Sequence, residues 1–193
     1  MTWYVVDGMD GCGKTTAGDI LREELEARGR RVMLVSHPNP DCIWGRIEEK
    51  CLHVDGAPGT LCTMVFYITD VVTSLFRAKR RRKQYDDLVF VRYIMAVSYL
   101  PEGVVRKGYD VISHVLPMPD VKFLIDVDAE TAMARIEARS EDREAFERVD
   151  KLTAIRKKMH LLVDDGWNVI DNTKSVEFTR SQILEVLNRG VKE

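Results

Sequence analysis

No stretch of this sequence stays apolar for long. Runs such as Val32 to Val35 fall far short of the roughly 20 residues that cross a bilayer. The opening Met1-Thr2-Trp3-Tyr4-Val5-Val6-Asp7 lacks the basic n-region of a signal peptide. Charge of neither sign dominates. Lys and Arg number 29 against 31 Asp and Glu, a net charge of −2, so no global field argues for a nucleic acid or an anionic membrane as partner. Cysteine is scarce: four residues, with no CxxC pair and no tight framework. That usage predicts free thiols in a reducing cytoplasm. Internal repeats, low-complexity segments and Pro/Gly-rich linkers are missing too, so 193 residues read as one domain, 1–193. A hydrophobic fraction of 45% with 31% charged residues excludes disorder, collagen and coiled coil.

What is present alternates. Thr2 to Asp7, Arg31 to Ser36, Leu88 to Arg92, Val121 to Val127 and Trp167 to Asp171 read as short buried strands. Amphipathic helices are predicted between them. Thr15 to Arg28 is followed by Gly29 as C-cap, and Asp41 to Leu52 is a shorter candidate. The longest opens at Thr60, with an apolar stripe from Leu61 through Met64, Ile68 and Val72 to Phe76. A helix from about Tyr93 to Lys107 is open to a break at Pro101. Asp128 and Ser175 are good caps for two later helices. Five such strands with helical crossovers predict an α/β fold, a three-layer arrangement with a parallel sheet. Its ligands belong at the carboxyl ends of the strands.

Gly8-Met9-Asp10-Gly11-Cys12-Gly13-Lys14-Thr15 fits GxxxxGK[ST] and lies between a strand and a helix. Gly8, Gly11 and Gly13 let backbone N–H groups close around phosphate oxygens, together with the amides of Asp10, Cys12 and Thr16, and the helix aims its N-terminus at the anion. Lys14 reaches the β- and γ-phosphates, and the Thr15 hydroxyl can ligate Mg²⁺. The glycines run GxxGxG, which disfavours a dinucleotide fold.

The wording of this loop, VVDGMDGCGKTT, resembles the opening of the thymidylate kinases, a branch of the P-loop nucleoside monophosphate kinases. Further likenesses follow in order: Ser36-His37-Pro38, Phe66-Tyr67 to Asp70, Val91-Arg92-Tyr93, Asp126-Val127-Asp128, Arg139 through Arg143, and Val169-Ile170-Asp171. The resemblance implies a cytoplasmic, dimeric enzyme that transfers the γ-phosphoryl group of ATP, with Mg²⁺, to dTMP. It implies that Asp10 meets the acceptor sugar, Arg92 its phosphate, and Phe66 or Tyr67 its base. It also implies a lid at about 139–150 whose Arg139 and Arg143 act in catalysis beside Lys14 and Arg92. Partners are then small nucleotides, not nucleic acid or membrane.

The chain departs from the family pattern on the acceptor side. Val91 replaces an Asp, Ser36-His37 an Arg-Glu, Ala96 and Pro101 a Ser and a Gln, and an expected Arg falls at Asp70 or Val71. Poor selectivity for thymine, or a low rate with dTMP, is the expectation, with Val91→Asp raising activity. A kinase for another nucleotide or a nucleoside, and a nucleotide-binding protein without turnover, stay open as alternatives.

Several residues have two readings. Asp7 either bonds water around Mg²⁺ or merely ends its strand. Phe66 and Tyr67 suit core packing as well as base stacking. Arg135, Arg139 and Arg143 fit a lid or an exposed helix paired with Glu137, Glu141, Asp142 and Glu144. The basic run from Arg77 to Lys83 fits a solvated helix end better than a nucleic-acid site. Cys12 in the phosphate loop is a small residue that fits, at a helix N-terminus that lowers thiol pKa values.

Overall fold

The computed structural model describes residues 1–52, 57–139, 148–163 and 166–189. Five strands, β1 (Thr2–Asp7), β2 (Val32–Ser36), β3 (Asp87–Val91), β4 (Val121–Asp126) and β5 (Trp167–Asp171), form one sheet in the order β2-β3-β1-β4-β5. Every pairing is parallel. Each strand is five or six residues of mostly apolar side chains, and β3 is buried along its whole length. A strand covered on both faces needs this continuous apolar run in place of alternation.

The helices are α1 (Lys14–Ala27), α2 (Ile43–Leu52), α3 (Ala57–Arg81), α4 (Glu102–Val115), α5 (Ala129–Ala138), α6 (Val149–His160) and α7 (Val176–Arg189). Their boundaries follow local chemistry. Gly29 takes a φ of 76° and returns its N–H to the Glu26 carbonyl at 2.8 Å, closing α1. The Asp128 carboxylate caps α5 by accepting the Thr131 N–H at 2.7 Å. The Ser175 hydroxyl accepts the Phe178 N–H at 3.3 Å at the start of α7.

Two expectations are corrected. The helix predicted from Tyr93 to Lys107 is two elements, a 3₁₀ turn over Ile94–Tyr99 and then α4, with Pro101 as the N-cap of α4. Proline fixes φ and disfavours helix at the residue before it, so the break falls at Leu100, which is extended. The second correction concerns the thiols. Cys51 and Cys62, 11 residues apart, are joined by a disulfide that ties α2 to α3, while Cys12 and Cys42 are free and buried.

The chain leaves β1 toward β2 and leaves β3 toward β4, in opposite directions across the sheet. A crevice therefore opens between the carboxyl ends of neighbouring β1 and β3. The phosphate loop follows β1, and Arg92 follows β3.

Candidate active site

The loop from Gly8 to Thr15 is shaped by backbone that only glycine adopts easily. Gly11 has a φ of 74°, and a Cβ there would lie 2.4 Å from the Ala132 carbonyl oxygen. Gly13 has a φ of 93°, and its Cβ would lie 2.4 Å from Asn172 Nδ2. The loop is also held from behind. Asn172 Nδ2 donates to the Cys12 carbonyl at 2.8 Å, and Arg135 Nη1 reaches the same oxygen at 3.4 Å. Arg135 Nη2 donates to the Asn172 carbonyl at 2.8 Å. Thr179 in turn donates to Asn172 Oδ1 at 2.6 Å. Arg135 thus braces the loop from outside.

A polar cavity of about 330 Å³ lies over this loop. Gly11, Gly13, Lys14, Thr15 and Thr16 line one side, and Arg92, Arg135 and Arg139 supply cations. Thr15 and Thr16 are exposed at the start of α1. The amine of Lys14 is buried, donates to the Met9 carbonyl at 2.7 Å and sits 3.5 Å from Asp10 Oδ1. Arg143 and most of the expected lid, residues 140–147, lie outside the described residues.

Asp10 is the hub of the site. Its carboxylate accepts from Arg92 Nη2, accepts the Tyr99 hydroxyl at 2.5 Å and faces Lys14. Burial pushes this carboxyl up, but Arg92, Lys14 and the Tyr99 hydroxyl together outweigh burial and hold it below the usual carboxylate range. Asp7, three residues earlier, feels Lys14 and Arg92 more weakly than its own burial. It is buried and accepts the Tyr93 and Met95 N–H groups, each at 3.1 Å, at the start of the 3₁₀ turn. Burial raises its pKa against those hydrogen bonds. Asp7 is therefore placed to anchor the chain after β3.

Arg92 has a φ of 71°, rare for a residue with a Cβ. Three contacts enforce it. Its N–H donates to Val6 at 2.9 Å, its carbonyl accepts His37 Nδ1–H at 2.9 Å, and its guanidinium pairs with Asp10. Burial pushes the His37 imidazole down, in keeping with a neutral ring that donates from Nδ1.

A second cavity of about 230 Å³ adjoins the first. Tyr67, Val71, Val97, Leu100, Ile112 and Leu116 are among its mainly apolar walls. Arg92 lines both cavities. Of the two aromatic candidates, Tyr67 faces this cavity, its hydroxyl donating to the Tyr93 carbonyl. Phe66 instead stacks on Trp44, with centroids 6.1 Å apart and planes at 19°. Val91 is buried and points under α1, close to Gly18. Ala96 lines the second cavity, and Pro101 caps α4. Of the two positions where an arginine was expected, Val71 is in the cavity wall, and buried Asp70 accepts the Asn39 N–H at 2.8 Å. Cys12 is fully buried, and burial pushes its thiol up, the opposite of the shift expected at a helix N-terminus.

The sequence family model for thymidylate kinase matches residues 6–183. The chain belongs to the thymidylate kinase family. Its relatives include a probable thymidylate kinase of Pyrobaculum aerophilum, 25% identical over 198 residues that cover 100% of this chain and 99% of the relative. The thymidylate kinase of Prochlorococcus marinus strain MIT 9303 is 25% identical, covering 93% of this chain and 90% of its own. A solved thymidylate kinase from Candida albicans superposes with a TM-score of 0.75 at 14% identity, covering 98% of this chain and 92% of that one. The last likeness concerns the fold. Membership makes the chain a phosphotransferase of the nucleoside monophosphate kinase type.

Sequence reasoning missed Tyr99, Asn172 and the bracing role of Arg135. A signal existed for the first two. A lone carboxylate in a phosphate loop demands nearby donors, and Asn172 follows β5 at the carboxyl edge where ligand-side residues collect.

Proposed function

We propose that the protein transfers the γ-phosphoryl group of ATP to a nucleoside monophosphate, with dTMP the leading acceptor. The observation that carries this reading is the position of Arg92, whose side chain lines both cavities. ATP occupies the polar cavity, its phosphates held by the loop N–H groups and Lys14. The acceptor occupies the apolar one, its phosphate beside Arg92, its sugar toward Asp10 and Tyr99, and its base against Tyr67. An acceptor phosphate oxygen attacks the γ-phosphorus, the bond to the bridging oxygen breaks, and ADP and a nucleoside diphosphate leave. Positioning two polyanions in line and neutralising their charge is most of the work. Arg139 adds a cation on the donor side.

The residues present suit Mg²⁺. No group of three or more His, Cys, Asp or Glu that could hold a metal occurs among the described residues. Magnesium keeps much of its shell as phosphates and water, and the exposed Thr15 hydroxyl would give it a protein oxygen. Bound there, the ion supplies charge neutralisation between the phosphates.

The reading carries with it a cytoplasmic enzyme that acts on small nucleotides, not on nucleic acid. No helix among the described residues is long and apolar enough to cross a membrane. A homodimer through α3 fits its exposed Val65, Ile68 and Phe76. A kinase for another acceptor is favoured by one observation: neither position 70 nor position 71 brings a cation to the acceptor cavity. An ADP-release assay with ATP, Mg²⁺ and a panel of nucleosides and nucleoside monophosphates decides between them. Turnover with dTMP supports the reading, and ATP binding without turnover on any monophosphate refutes it.

A further inference from the structure

The hydroxyls around the acceptor cavity are nearly all committed. Tyr67 donates to the Tyr93 carbonyl, Tyr93 to the Pro117 carbonyl at 3.0 Å, and Tyr99 to Asp10 at 2.5 Å. Among the described residues, Arg92 is the one cation in the lining, and it stands at the end shared with the phosphate cavity. Two further polar side chains, Glu48 and Thr63, line the wall among the described residues. Glu48 of α2 is almost fully buried and lines the cavity. Thr63 of α3 also lines it, with a buried Oγ1 that has no hydrogen-bond partner among the described residues.

A base placed in this cavity loses water from its polar edge and needs partners there. A carboxyl group has several lone-pair sites, enough to accept from a ligand beside a protein contact. A threonine hydroxyl can donate. Lining the same cavity, they offer it an acceptor and a donor. Thymine presents the complement, a ring N3–H beside the O4 carbonyl. In the same pose cytosine turns a lone pair at N3 toward the carboxylate.

We propose that Glu48 and Thr63 read the polar edge of the acceptor base, Glu48 accepting the thymine N3–H and Thr63 donating to the adjacent carbonyl oxygen. The inference rests on the acceptor reading given above.

The test compares dTMP with its N3-methyl analogue in steady-state kinetics, using the wild type, Glu48→Gln, Glu48→Leu and Thr63→Val. With the wild type, the methyl group should raise KM about tenfold while kcat stays nearly constant, the size of effect expected for a lost buried hydrogen bond. Glu48→Leu should raise KM for dTMP to a similar degree and then ignore the methyl group. Glu48→Gln keeps an accepting oxygen and should fall between. Thr63→Val should raise KM less than Glu48→Leu does. Equal KM for the two nucleotides with the wild type overturns the proposal, and that arm needs no variant to fold. If the wild type makes no dTDP but phosphorylates another monophosphate, the thymine assignment fails. Calorimetry of Glu48→Leu against that substrate then decides the pair: a Kd raised about tenfold keeps it as a base reader, and an unchanged Kd removes it. If no monophosphate is phosphorylated, the acceptor reading and this proposal fall together.

Discussion

The cavity over the phosphate loop and the cavity beside it share Arg92 and little else. The first is ringed by backbone amides, Lys14, two threonines and three arginines. The second is walled mainly by aliphatic and aromatic side chains, with most of its hydroxyls turned to protein partners. A phosphate is recognised by charge and by N–H geometry, which a short contiguous loop supplies. A nucleoside is recognised by shape with a few placed polar groups, which must come from separate elements. The first kind of site leaves a contiguous signature in the sequence, and the second does not.

The largest effect is expected from removing a cation of the polar cavity. Arg139→Ala should lower kcat by about 10³ if Arg139 stabilises the transferring phosphoryl group, with little change in ATP affinity. Steady-state kinetics beside calorimetry separates the two effects, and an unchanged kcat makes Arg139 a surface residue. Lys14→Ala should instead weaken ATP itself, by roughly 10- to 100-fold for one charge-assisted contact. Equal ATP affinity in titration calorimetry would break the donor assignment.

Stability separates the halves as well. Gly11→Ala imposes a φ of 74° on a Cβ and drives it to 2.4 Å from the Ala132 oxygen. It should lose about 1–3 kcal/mol in urea unfolding, together with ATP binding. On the acceptor side, Val91→Asp should raise turnover with dTMP if the missing carboxylate is the defect. Because Val91 is buried under α1, the same change should cost about 1–3 kcal/mol of stability. A gain in rate with no loss of stability would mean that the carboxylate reaches water or the ion.

The smallest effect concerns the two buried aspartates. The folded pKa of Asp10 lies below its unfolded value, so the stability it contributes is present above about 3.9 and is lost as pH falls toward the folded value. Asp7 is raised, so its contribution is present below that unfolded value and is lost as pH rises toward the folded one. Asp10→Asn should flatten the acid limb of a stability–pH curve measured by urea unfolding. An unaltered limb would show that Asp10 is not held by its cations.

Much of this was written locally. The phosphate loop, α1 with its Gly29 stop and the Asp128 cap rest on residues within a few positions of one another, where covalent geometry and nearby donors decide the outcome. The five strands were legible because each is a short apolar run bounded by polar residues or breakers. The break after Tyr99 was legible in part, since Pro101 forbids a continuous helix. The 3₁₀ turn itself depends on Asp7 capturing N–H groups 86 and 88 residues away.

The sequence by itself determined a parallel α/β sheet and a phosphate-loop motif, because both follow from periodicity and one contiguous run of residues. Only the tertiary structure decided that Asp10 holds Arg92 and Tyr99, 82 and 89 residues distant, and that Asn172 braces Cys12 across 160. It also decided that Tyr67 rather than Phe66 faces the acceptor cavity. Neighbours on a helix point to different faces, and which face meets a cavity is set by packing against other elements.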